Sequence, residues 1–167
     1  MKMHIINIMI SALLVLLSTC SAKREFSSQE ELITAVIEYI NKGRKDKLFN
    51  TFIPAEEYIE SIHPFTDVGK EKNALPAEEF WDTFIGMRRD YAALTKIRNY
   101  KDRIIHIKSI GEPDKIIDTG EFEMLRRIPL TLTISNDDGT ISDIIDDEIL
   151  GVVIKRNNKF RLLNVFR

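Results

Sequence analysis

The apolar residues of this 167-residue chain change their period partway along, and that change limits the folds open to it. Between residues 28 and 100 they recur at steps of three and four; from residue 103 onward they alternate, so helices come first and strands second. Ser28-Gln29-Glu30-Glu31 has the form of a capping box, and Leu32, Ile33, Val36, Ile37 and Ile40 follow at helical spacing until Asn41-Lys42-Gly43 stops them. A shorter apolar group, Leu48, Phe49, Phe52 and Ile53, precedes a fresh first turn at Pro54, which is expected to end before Pro64. Residues 65–75 lack periodicity and read as a surface loop. Pro76 restarts a helix on which Phe80, Phe84, Met87, Tyr91 and Leu94, widened by Trp81 and Ile85, form the stripe expected to face the core.

In the second half, Ile105 and Ile107 alternate with His106 and Lys108. Leu130, Leu132 and Ile134 alternate with threonines, and Leu150, Val152 and Ile154 with Gly151, Val153 and Lys155. Asn136-Asp137-Asp138-Gly139 and Asn157-Asn158 supply hairpin turns, so the strands are antiparallel. The pattern predicts an α+β domain with its helices packed on one face of an antiparallel sheet.

Residues 5–17 are almost wholly apolar, with Lys2 before them and Leu17-Ser18-Thr19-Cys20 after. Thirteen residues fall short of the roughly 20 needed to cross a bilayer as a helix, and the layout is that of a secretory signal. The expected divisions are a signal at 1–19, Cys20 with a polar tether to residue 27, and one domain over 28–167. Removing the first 19 residues leaves 148, with 23 basic against 26 acidic side chains and no basic stripe, so nucleic acid is not an expected partner. Cys20 is the only cysteine, which excludes disulfides within the exported part and thiolate zinc sites.

Leu17-Ser18-Thr19-Cys20 resembles the lipobox of bacterial lipoproteins, with Thr19 in place of the usual Gly, Ala or Ser. The resemblance implies that Cys20 becomes the first mature residue and is acylated, making the lipid membrane of the bacterial cell envelope a partner. Ser21 is not Asp, which by the same resemblance implies the outer membrane. Two or more acyl chains hold a protein stably on a bilayer, where one holds marginally.

Chemistry is sparser. Asn136, Asp138 and Gly139 fall on positions of a calcium loop, but Ile134 and Ile145 stand where ligands are needed, so no metal is expected. Asp143, Asp146, Asp147 and Glu148 read as a solvated strand end, since neighbouring strand residues point to opposite faces. His106 is a surface or a pocket residue according to which face packs. His63, at a helix-to-loop junction with Asp67 four residues on, is a candidate general base. Tyr58, Trp81 and Tyr91 are candidates to line a cavity, although helical spacing of aromatics is also what any core helix shows. No phosphate loop, nucleophile elbow or cofactor motif occurs, and no cofactor is expected.

The helix at residues 32–40, the later helix from Pro76 and the closing hairpin over residues 151–165 resemble the cystatin-like, nuclear-transport-factor-2-like superfamily, shared with ketosteroid isomerase and SnoaL-like cyclases. That resemblance implies a curved sheet closing into a cone around a cavity, with the His63 junction near its mouth. Three functions are expected on these grounds. The anchored domain binds a small apolar ligand or an envelope protein; it is a lyase, isomerase or hydrolase using a histidine or carboxylate in the cone; or it is a structural envelope component.

Overall fold

Ser28 caps the first helix as its sequence requires: its hydroxyl accepts the Glu31 amide at 3.1 Å. The Glu31 carboxylate reaches back one residue further than in a standard box, to the amide and hydroxyl of Ser27. This is α1 (Gln29–Asn41), and its five expected core residues are all buried. Gly43 ends it at φ +62°, a left-handed conformation that favours glycine, while the Lys42 amide bonds back to the Glu38 carbonyl. The computed structural model describes residues 25–101, 103–135 and 140–166. Cys20 with the apolar run before it, and the turn at 136–139, lie outside the described residues.

After α2 (Lys45–Asn50) the chain runs into α3 (Ala55–Glu57), a π-helical turn (Tyr58–Ile62) and a 3-10 turn (His63–Phe65). The helical path therefore passes Pro64 instead of ending before it. Proline sits in the first turn of the 3-10 segment, where its missing donor goes unused. The expected loop contains one further helical turn, α4 (Asp67–Lys70), capped by the Thr66 hydroxyl, which accepts the Gly69 amide.

From Pro76 the chain forms α5 (Ala77–Phe80), a π-helical segment (Trp81–Gly86) and α6 (Met87–Tyr100) without interruption. Here the sequence reading is corrected. Trp81, Ile85, Ala92, Ala93, Lys96 and Tyr100 are buried, whereas Phe84, Met87, Tyr91 and Leu94 are exposed, Met87 at 77% and Tyr91 at 53%. Two alanines let the helix approach the core closely, and a buried ion pair makes room for Lys96; apolar spacing alone shows neither.

The strands are β1 (Ile104–Ile110), β2 (Lys115–Asp118), β3 (Glu123–Arg126), β4 (Leu130–Ser135), β5 (Ile141–Asp146), β6 (Val152–Arg156) and β7 (Lys159–Asn164). They form two antiparallel sheets, ordered β1-β4-β5 and β2-β3-β6-β7. Three chain segments pass from one sheet to the other, at residues 111–114, 127–129 and 147–151. Hydrogen bonds from Gly111 to Pro129, Asp114 to Arg127 and Arg127 to Gly151 cross that break. Asn157 and Asn158, both at positive φ, make the expected two-residue turn between β6 and β7. The outer edge of β7 is covered by bridges from Phe26 and Phe52, which removes an exposed strand edge.

Val152, Val153 and Ile154 are all buried because the four-stranded sheet packs on both faces. Val153, Leu125 and Leu162 join α1 and the alanines of α6 in one core; Val152, Ile154 and Leu163 join Tyr58, Ile62, Trp81 and Ile85 in a second. Helices on one face is thus corrected to helices on both, and the continuous apolar runs at 152–154 and 162–163 are the sequence mark of such a strand.

Candidate functional site

The second core is open on one side. Its sheet floor consists of two cross-strand rows: Lys115, Arg126 and Val152 in one, Ile117, Met124 and Ile154 in the other. Tyr58, Thr66 and Val68 wall one side, and Phe80, Phe84 and Ile85 the other, around a cavity of about 330 Å³. Past Phe84, Asn164 and Phe166 it meets a second hollow of about 400 Å³, bounded by Arg88, Tyr91 and Val165. Both volumes lie at the lower end of the range for small-molecule sites.

The aromatic wall arises from the two π-helical turns. A π turn admits one extra residue and rotates the helix beyond it, a distortion that recurs at functional sites. It brings the rings of Tyr58 and Trp81 to 5.2 Å and those of His63 and Phe80 to 5.1 Å, with Phe80 also 5.0 Å from Phe84. Gly86 sits where a Cβ would lie 3.0 Å from the Trp81 indole nitrogen, so the small residue makes space for the ring. The Arg89 guanidinium lies 4.9 Å from the Trp81 ring and donates to the Ile53 carbonyl, fixing the indole from the opposite side.

Of the residues singled out from the sequence, Tyr58 and Asp67 line the cleft, Trp81 and His63 pack behind Tyr58 without lining it, and Tyr91 borders the adjoining hollow. His63 and Asp67 do not form a pair. His63 is buried with its Nδ1 3.3 Å from Tyr58 Oη, a hydrogen bond whose direction depends on the ring tautomer. Asp67 is exposed and, among the described residues, makes no hydrogen bond to it. Burial pushes the Tyr58 hydroxyl up to about 12, so it stays protonated at neutral pH. His106 stands on the exposed face of β1, in one row with Thr133 and Asp143 and away from the cleft.

Asp146 is corrected from a solvated strand end to a buried anion. It accepts both carboxylate contacts of Lys96 Nζ at 3.0 Å, the Tyr100 hydroxyl at 2.7 Å and the amides of Glu148 and Ile149. Every acceptor position is taken, so the cluster fastens α6 to the end of β5 and offers no free valence to a ligand. A third groove, about 310 Å³, runs beside Glu57 and Arg161, but those two charges already pair with each other.

The sequence reading missed Lys115 and Arg126. Nothing local marks them, because their proximity depends on the register of β2 against β3. No protein-family model matches the chain, and no curated protein or solved structure matches it at a significant level. Among the described residues, the fold is α+β and carries an aromatic-walled cleft with Lys115 and Arg126 among its lining residues.

Proposed function

We propose that the chain is an exported lipoprotein, held on the bacterial outer membrane by acylated Cys20, whose domain binds a small, largely apolar ligand. The observation that carries the binding part is the 330 Å³ cleft walled by Tyr58, Phe80 and Phe84. Apolar walls with a few polar groups at the mouth are what such sites need. The three segments that pass between the sheets, bonded across the break, and the α1 core support reading the sheets as the two halves of the cone-shaped, cystatin-like frame, with the π-helical layer as an addition outside it. Among the described residues no helix is long and apolar enough to cross a membrane, which is compatible with a lipid anchor.

A lyase, isomerase or hydrolase would use His63, which packs behind Tyr58 and Phe80 and does not itself line the cleft. The binding reading is preferred because His63 is buried against Tyr58 and Phe80 and, among the described residues, has no carboxylate bonded to it. The exposed Phe84, Met87, Tyr91 and Leu94 favour a second reading, in which an envelope protein docks on α6.

Two experiments test the proposal. N-phenyl-1-naphthylamine, an uncharged aromatic probe, is expected to bind with one-to-one stoichiometry and to quench Trp81, the only tryptophan; unsaturable uptake counts against a cleft. Separately, Cys20→Ala is expected to move the protein from the membrane to the soluble fraction. Mass spectrometry of the mature N-terminus should find Cys20 first and acylated, and an unmodified N-terminal residue defeats the anchor.

A further inference from the structure

We propose that the ligand is an anionic amphiphile: an apolar or aromatic body carrying one carboxylate, sulfonate or phosphate group, received by Lys115 and Arg126. The inference rests on the binding reading and adds the head group to it.

Lys115 and Arg126 are direct cross-strand partners, and both line the cleft. Like charges directly opposite each other destabilise an antiparallel pair. Among the described residues neither forms an ion pair that would relieve this, and the one acid on the cleft, Asp67, bonds to neither. Arg126 is half-buried, so water does not fully screen it. The adjoining hollow adds Arg88, whose guanidinium lies 5.5 Å from the Phe84 ring, and no acid at all. A chain with a net charge of −2 thus places Lys115, Arg126 and Arg88, none of them in an ion pair among the described residues, around this aromatic cleft and the hollow beside it.

Geometry sets how a ligand would lie. Lys115 and Arg126 begin the row that continues into Val152 and Asn164, with Leu163, Phe84 and Phe166 lining the cleft beside it. An anion between the two cations therefore leaves its apolar body over the sheet floor. The guanidinium offers a planar fork to two oxygens and the ammonium a point charge, which meets a third oxygen on a sulfonate or phosphate and shares one of the two on a carboxylate.

The test uses the full chain in phosphatidylcholine nanodiscs, with empty discs subtracted. The probes are 8-anilinonaphthalene-1-sulfonate and N-phenyl-1-naphthylamine, which share a ring system and differ in the sulfonate. Energy transfer from Trp81 reports binding near the cleft. The sulfonate probe is expected to bind at least about 10-fold more tightly. Lys115→Gln with Arg126→Gln should weaken it about 10- to 100-fold and the neutral probe less than about 3-fold. The charge-preserving exchange Lys115→Arg with Arg126→Lys should keep most of the affinity. Without ligand the double glutamine variant should melt no lower than the parent, since a repulsion has been removed. Displacement of the sulfonate probe by decanoate identifies a free amphiphile; displacement on adding phosphatidylglycerol to the discs identifies a membrane lipid, and both carry the inferred head group. Equal affinity for the two probes, or sulfonate binding that survives both glutamines, overturns the anionic ligand and leaves apolar binding standing. No transfer to either probe overturns both.

Discussion

Asp146→Ala should cost the domain about 3–5 kcal/mol, most of the stability a protein of this size has to lose. The carboxylate and Lys96 are each only 8% exposed. Removing Asp146 leaves the buried Lys96 with only its longer, 3.4 Å contact to the Glu148 carboxylate, and it also strips the Tyr100 hydroxyl and the amides of Glu148 and Ile149 of their acceptor. Urea unfolding followed by Trp81 fluorescence should show a lower midpoint with an unchanged slope. The double variant Lys96→Met with Asp146→Leu should recover much of the loss, because it removes both charges together. A single-variant loss below about 1 kcal/mol would mean that the pair is solvated.

The same cluster sets limits in pH. Burial pushes the Asp146 carboxyl upward, but the hydrogen bonds from Tyr100 and Lys96 and the Lys96 charge outweigh it, and the folded value lies below the ordinary 3.8. Its contribution is present above pH 3.8 and is lost as pH falls through the lowered value. Burial and the Asp146 anion raise the Tyr100 hydroxyl above its ordinary 10.0, so its share is complete below pH 10.0 and declines as pH rises beyond it. Unfolding free energy against pH should therefore fall at both ends, and Asp146→Ala should flatten both limbs.

The features legible from the chain alone were the local ones. Ser28, Gly43 and the apolar residues between them specify α1 within 16 residues, and Asn157-Asn158 specifies its turn in two. The buried face of α6 is not local. Lys96 reads as solvent-facing until Asp146 is set against it, and Asp146 lies 50 residues further on. Ala92 and Ala93 carry little apolar weight, so the larger side chains of the opposite face outscored them. β2 and β3 escaped notice because four residues with charges at both ends show no usable period. The cleft was partly legible: of the lining candidates, Tyr58 faces it, Tyr91 borders the adjoining hollow and Trp81 supports Tyr58 from the core behind, while the cations of β2 and β3 could not be named.

Trp81→Ala tests whether the second core holds the cleft open. The indole packs on Tyr58 and under Arg89, in the place Gly86 leaves for it, and it is the largest side chain in that core. Truncating such a residue costs about 3–5 kcal/mol, the spread reflecting how far the walls collapse into the cavity. Collapse here draws Tyr58 inward, so the neutral probe should lose its site even where the chain stays folded. Circular dichroism must track the unfolding, since the fluorophore is gone, and probe emission must report binding. Trp81→Phe should keep both stability and binding within a few-fold of the parent. Tyr91→Ala, on the exposed side of the same helix, should change stability by less than about 0.5 kcal/mol. If Trp81→Ala loses stability but still binds the probe at parental affinity, the aromatic wall is carried by Phe80 and Phe84 alone, and the π-helical turns serve packing only.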